Sequence, residues 1–204
     1  MEKYKYLREK EHVKAWVEGG TIPIGWASWY KSETRDGIYT PDENLVYKSN
    51  FDIANYDNLF NLGHMTGPLI LIGCTNRGER IPDTIAWHYR VDGFLECYSN
   101  TFSHEVAARY GDKKACIVIH DIELLKRIFD EQIGLIGEMR ACEYTRDHQR
   151  GPFLKSVHDG WQDEFRIFWN VNKPIHELET MEKRAFEIEL PAGLASEIEL
   201  NLSE

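Results

Sequence analysis

The sequence predicts one α+β domain, with a mixed or antiparallel sheet and flanking helices. Three observations carry this reading. The 204 residues suffice for one domain of ordinary size and not for two. Strand-like apolar runs recur along the chain and outnumber the stretches with helical spacing. No internal repeat or low-complexity linker divides the chain.

Taken in order, residues 3–18 predict a helix, with Leu7, Val13, Trp16 and Val17 on one apolar side and Gly19-Gly20 at its end. Residues 21–30, dense in Ile and Trp, predict a strand, followed by an exposed polar stretch over 31–37. Residues 40–63 have no clean period and read as an ordered loop with short turns. A buried strand is expected over 69–74, a turn at Asn76-Arg77-Gly78, and a hairpin over 84–99 bent at Asp92-Gly93. Residues 103–110 predict a short helix closed by Gly111, and 115–119 a buried strand. Ile122, Leu125, Phe129 and Ile133 fall on one face of a helix opened near Asp121. Strands follow over 135–144, 161–169 and 184–190, with a polar loop over 145–152. The domain is bounded at 1–190, and 191–204 read as an acidic C-terminal tail beginning at Pro191-Ala192-Gly193.

Charge and motifs narrow the function classes. A net charge of -10 argues against broad affinity for phosphate backbones, and a protein partner is expected before nucleic acid. The acidity is uneven: residues 177–204 hold 8 Glu against Lys183 and Arg184, which leaves a local basic cleft open to the rest. No apolar run is long enough to span a bilayer, and the first residues lack the apolar core of a signal peptide, so a cytoplasmic location is expected. Cys74, Cys97, Cys116 and Cys142 are too far apart for a zinc knuckle or redox pair and read as reduced, buried thiols. The histidines are dispersed, no nucleotide-binding glycine loop or Gly-x-Ser-x-Gly elbow is present, and no metal is expected.

What remains is the run 160–169. Strand alternation would put Phe165, Ile167 and Trp169 on one face and Gln162, Glu164 and Arg166 on the other, with Asp163 turned away from them. An amide, a carboxylate and a guanidinium would then line up at intervals of roughly 7 Å. The Gln-x-Glu pair after an exposed loop resembles the catalytic corner of the ADP-ribosyltransferase superfamily, particularly the exotoxins that modify Rho GTPases. Lys155, Trp161, Glu164 and Arg166 also resemble the Lys…Trp-x-x-Glu-x-Arg signature of an uncharacterised bacterial and phage family associated with that fold. Tyr98-Ser99-Asn100-Thr101 is similar to the Ser-Thr-Ser run that braces the nucleotide pocket, with Asn100 departing from the pattern.

The resemblance implies an ADP-ribosyltransferase-like fold and NAD as the substrate. It implies an intracellular effector that transfers ADP-ribose to a macromolecular acceptor. In it Glu164 stabilises the positive charge left on the ribose when nicotinamide departs, Ser99 holds Glu164, and Gln162 orients the acceptor. Tyr98 belongs with Ser99 in the nucleotide pocket. Lys155 or Arg166 would neutralise the pyrophosphate. The family's first core strand carries an Arg or His that grips the dinucleotide; residues 22–30 contain neither, and Tyr30 and Arg35 are the nearest candidates. The alternative is a non-catalytic interaction protein that presents an acidic surface.

Overall fold

The structure, a computed structural model, describes residues 1–56, 59–60, 62, 67–173 and 175–200. Its first element corrects the sequence reading. The chain opens with a strand, β1 (Lys3–Leu7), and only His12–Val17 is helix, α1. Lys3, Lys5 and Leu7 alternate with Tyr4 and Tyr6, and a strand sends the two sets to opposite faces. Interspersed charges make such a segment look helical, yet Lys3 is buried. Its ammonium donates to Asn100 at 2.7 Å and lies 4.4 Å above the Phe165 ring.

Where an unbroken strand was expected over 21–30, β2 (Gly20–Trp26) gives way to a 3-10 turn at Ala27–Tyr30. The segment read as loop contains β3 (Leu45–Ser49) and a 3-10 turn at Ile53–Tyr56; its residues 57, 58, 61 and 63 lie outside the described residues. β4 (Pro68–Leu71) is shorter and more open than the buried strand expected, since Leu71 is buried while Ile70 and Ile72 are exposed. β5 (Thr75–Asn76) and β6 (Glu79–Arg80) form the small hairpin around the expected turn, with Arg77 and Gly78 both at positive φ.

β7 (Thr84–Arg90) and β8 (Gly93–Ser99) are strands as expected, but they do not pair as a hairpin. β7 joins β3 and β4, whereas β8 joins the main sheet. Asp92 makes the separation: its carboxylate accepts from the backbone N–H of Ser28 and Gly93 and from Lys183. A side chain at Gly93 would put its Cβ 2.0 Å from the Trp169 carbonyl oxygen, so only glycine lets the strands close at this point.

The next three elements fall where the periodicity puts them. α2 (His104–Tyr110) is capped by Ser103 and ended by Gly111 at φ 72°. β9 (Ala115–Ile119) follows, then α3 (Ile122–Ile133), whose first turn is capped by the Asp121 carboxylate. The strand expected over 135–144 is two, β10 (Glu138–Ala141) and β11 (Glu143–Thr145), broken at Cys142. β12 (Leu154–Ser156) runs into a 3-10 turn at Val157–Gln162, then β13 (Glu164–Asn170), α4 (Ile175–Thr180) and β14 (Phe186–Leu190). The acidic stretch read as a tail supplies β15 (Ala195–Ile198), which pairs with β9 and buries Leu194 and Ala195.

The result is an α+β architecture with mostly antiparallel strands. The main sheet runs β10-β13-β8-β1-β9-β15, with β2 attached to the end of β8 and β14 to β2. One face packs against α1 and α3, where Trp16, Leu125, Phe129, Ile167, Trp169 and Ile188 form the centre of the largest core. A three-stranded sheet, β3-β7-β4, covers its own smaller core around Tyr47, Ile53 and Ala86. Among the described residues no helix is long and apolar enough to cross a membrane.

Candidate functional site

The central ladder of the main sheet sets the site. β8 and β13 pair from Gly93–Asn170 to Ser99–Glu164, so Ser99 and Glu164 face each other across the strands, as do Cys97 and Arg166. Along the far edge of β8 the pairing forks. β2 holds Phe94 and Leu95, β1 holds Ser99, and among the described residues no ladder pair covers 96–98 on that side. The first strands of the chain therefore diverge from β8, and a cavity of about 100 Å³ lies at the fork. Tyr30, Ser99, Gln162, Glu164 and Arg166 all line it, together with Tyr4 and Tyr110.

Glu164 is buried, and both of its oxygens are engaged. Oε1 accepts from Arg166 Nε at 3.0 Å, and Oε2 accepts from Lys155 Nζ at 2.7 Å, with the Cys142 thiol at 3.9 Å. Arg166 turns its other two nitrogens to Glu43, at 2.9 and 2.8 Å, and donates to the Pro152 carbonyl. Lys155 donates a second bond to Gln162 Oε1 at 2.9 Å, and the Gln162 amide donates to the Gly37 carbonyl. Two carboxylates and two cations thus close a neutral, buried network that runs from β3's leading loop to the 3-10 turn. Burial alone would favour the neutral acid, but Arg166 and Lys155 outweigh it and draw the Glu164 carboxyl down to about 2. Burial would likewise discharge Lys155, but the charge and hydrogen bond of Glu164, together with the Glu43 charge, outweigh it, so its pKa rises. The Glu164–Lys155 pair is therefore ionised at neutral pH.

Several expected placements need correction. Gln162 does not lie on the strand. It ends the 3-10 turn, and Asp163 follows at φ 42°, a left-handed conformation that resets the chain before β13 begins at Glu164. Gln162 reaches the Glu164 side of the sheet through this turn and through Lys155, not through strand alternation. Asp163 is not idle: its carboxylate accepts from Asn100 and Thr101 and fastens the end of β8. Ser99 does not hold the Glu164 carboxylate; its hydroxyl donates to the Gln162 carbonyl at 3.0 Å. Tyr98 borders the cavity, but its ring joins the main core. Its hydroxyl is buried with no hydrogen-bond partner among the described residues.

Arg35 lies apart from the cavity lining; it holds its own loop through Thr40 and Asp42 and ties that loop to Asp159 in the 3-10 turn. Lys155, buried between Gln162 and Glu164, is committed to them rather than open to a pyrophosphate. Trp161 packs 4.9 Å from the Tyr110 ring under the Arg109 guanidinium and does not enter the network.

Sequence reasoning missed Glu43, the counter-ion of Arg166, because it sits in a segment without period. It missed Tyr4, Lys5 and Tyr6 because their strand was read as helix; the two-residue alternation of aromatic and basic residues was the available signal. A second cavity of about 400 Å³ adjoins the first, and Lys5, Tyr6, Tyr30, Ile38 and Lys113 line both. Trp16, Trp29 and Pro23 give its wall an apolar surface. Among the described residues no three His, Cys, Asp or Glu side chains gather as metal ligands would. Comparison with family models, with curated proteins and with solved structures finds no match to this chain.

Proposed function

We propose that the chain is a NAD-dependent mono-ADP-ribosyltransferase of an intracellular bacterial or phage effector, acting on a protein acceptor. One observation carries the reading. An ionised carboxylate, Glu164, faces Ser99 across the central ladder at the point where the sheet forks, and both line the inner of two adjoining cavities. The larger cavity is within the range of small-molecule sites, about 300–1,000 Å³.

In this reading the ribose that bears nicotinamide enters the inner cavity. The bond from C1′ to the nicotinamide nitrogen breaks, and nicotinamide leaves neutral with the bonding pair. The positive charge that develops on the ribose is stabilised by Glu164, which is already ionised and fixed by its neighbours. A nucleophile of the acceptor then bonds to C1′ and loses its proton to solvent. In the resting arrangement the Lys155 ammonium occupies Glu164 Oε2, so Lys155 must yield as the cationic ribose takes its place. Gln162 Oε1, released with it, can then accept from the acceptor, while its amide N–H stays on the Gly37 carbonyl.

The test is incubation with labelled NAD and a cell lysate, with free nicotinamide measured alongside. Wild type is expected to label a protein or release nicotinamide, and Glu164→Gln to lower either rate by about a hundredfold or more, as for loss of one electrostatic group. Neither label nor nicotinamide from wild type would sink the proposal. A second reading, a non-catalytic interaction protein, is favoured by a specific fact: every Glu164 oxygen already has a protein partner. Ile70, Ile85 and Trp87 also form an exposed apolar face on the three-stranded sheet, and Ile70 and Ile85 are direct cross-strand neighbours. This reading expects no NAD turnover and equal behaviour of wild type and Glu164→Gln toward NAD.

A further inference from the structure

We infer that the junction of the two cavities is an anion site for a pyrophosphate group, built by Lys113 with Lys5 and Arg8. The inference deepens the NAD reading by assigning the part of the substrate remote from Glu164, but it stands on different residues and can fail or succeed alone.

Lys113 comes from the connection between α2 and β9, and its side chain is only 10% exposed. Its ion-pair partner among the described residues is Asp112, at 3.6 Å, too long for a hydrogen bond. Lys5 reaches the same junction from β1, and Arg8 follows just beyond that strand; all three line the outer cavity, and both lysines line the inner one as well. Lys5 is paired with Glu96 at 2.5 Å, and Arg8 donates to Asp112 at 2.6 Å. Asp112 is therefore shared, and three cations meet two carboxylates. The carboxylates at the inner end of the cavity do not make up the difference, because Glu43 and Glu164 are engaged by Arg166 and Lys155.

An excess of positive charge at a concave, half-enclosed position is unusual in a chain of net charge -10. Burial, together with repulsion from Lys5 and Arg8, lowers the Lys113 pKa, although Asp112 works against the shift. An entering anion removes that repulsion and supplies acceptors closer than Asp112 offers. The neighbouring groups favour a pyrophosphate joined to an aromatic base over a lone phosphate. The Tyr39 hydroxyl is held by Arg8 at 3.2 Å, and Trp29, 44% exposed, stands on the outer wall as a stacking surface.

The experiment is calorimetric titration of the full chain with inorganic phosphate, inorganic pyrophosphate and ADP. Pyrophosphate and ADP are expected to bind wild type at millimolar concentration or below, with inorganic phosphate weaker. Lys113→Met is expected to weaken both by about ten- to a hundredfold, the effect of one charge-assisted hydrogen bond. Lys114→Met, which changes the same net charge at an exposed neighbour, is expected to change nothing. Thermal melting checks that the variants fold. In wild type, the NMR signals of the Lys113 side chain should shift as pyrophosphate is added, which needs no variant. Absence of pyrophosphate binding, binding that survives Lys113→Met, a silent Lys113 signal, or inorganic phosphate binding as tightly as ADP would overturn the assignment. If ADP binds through Lys113 and NAD is never cleaved, the transferase reading fails and the anion site stands. If NAD is cleaved but pyrophosphate does not bind, the anion site fails and the transferase reading stands.

Discussion

On one face of β13, Phe165, Ile167 and Trp169 pack into the main core; on the other, Glu164 and Arg166 meet Glu43 and Lys155 at the same depth. Burial does not distinguish the faces, but energetics does. Removing apolar surface from water stabilises the first face by roughly 25 cal/mol per Å². The second face loses the hydration of four charges and regains it only through close, well-directed contacts, an exchange that commonly comes near balance or below. A polar face of this kind is a weak source of stability. Its place at the sheet fork, beside a cavity, is therefore not accounted for by strand stability alone.

The two faces respond most strongly when one partner is removed. Arg166→Ala would leave the Glu43 and Glu164 carboxylates buried without their shared cation, and is expected to cost about 3–5 kcal/mol. Trp169→Ala on the apolar face is expected to cost about as much, roughly 3–5 kcal/mol, by leaving a cavity. The two variants differ in how they respond to pH. The Arg166→Ala deficit should shrink on acidification, because protonating the stranded carboxylates removes their unpaired charge, whereas the Trp169→Ala deficit should not. Urea unfolding of both variants at neutral and mildly acid pH measures this. Parallel pH behaviour of the two would contradict the assignment of charge to one face only.

Acid titration of Glu164 distinguishes the two faces by a smaller margin. The Glu164 carboxyl titrates at about 2 in the fold against an ordinary 4.5, so its folded-state pKa is depressed. Stability from this group is fully present above the ordinary value and is lost as pH falls from about 4.5 toward 2, a total on the order of 3 kcal/mol. Glu164→Gln should flatten that part of the acid-unfolding curve. It should also lower stability at neutral pH, because Lys155 and Arg166 lose a counter-charge. The local sequence alone suggests a substitution nearly neutral for stability; the partners on either side of Glu164 change that expectation. An unchanged slope of stability against pH below about 4.5 in Glu164→Gln would mean that Glu164 is not the group held ionised.

The elements most legible in the sequence are those whose patterns are local. Helix α3 announces itself through Asp121 as its cap and the spacing of Ile122, Leu125 and Phe129, and α2 through Ser103 and Gly111. The apolar face of β13 is also readable, since Phe165, Ile167 and Trp169 alternate without interruption. The polar face is readable only in part. Glu164 and Arg166 follow from the same alternation, but Glu43 is 123 residues from Arg166 along the chain and no local period marks it. β1 escapes a sequence reading because its basic residues alternate with tyrosines, a pattern that carries no clean apolar stripe. The 84–99 segment escapes it because pairing partners are a tertiary choice: β7 and β8 each find better ladders elsewhere.

The smallest effect tests the junction that joins the two regions. Asp163 stands at φ 42°, between the 3-10 turn that delivers Gln162 and the strand that begins at Glu164. Its backbone carbonyl accepts from the Asn100 N–H at 2.8 Å, and its carboxylate accepts from the Asn100 amide at 3.0 Å and from the Thr101 hydroxyl at 2.8 Å. Two terms therefore act at this position: the left-handed backbone, which only Gly, Asn and Asp adopt readily, and the side-chain bonds to the end of β8. Asp163→Asn keeps both, since its carbonyl oxygen can accept from Asn100 while its amide donates to Thr101, and should cost less than about 0.5 kcal/mol. Asp163→Gly keeps the backbone and loses the bonds, at about 1 kcal/mol. Asp163→Ala loses both and should cost about 2 kcal/mol or more. The order Asn, Gly, Ala, read from urea midpoints, separates the two terms. If Ala and Gly were equal, the left-handed turn would be carrying no strain at this corner, and Glu164 would be set by its ion partners alone.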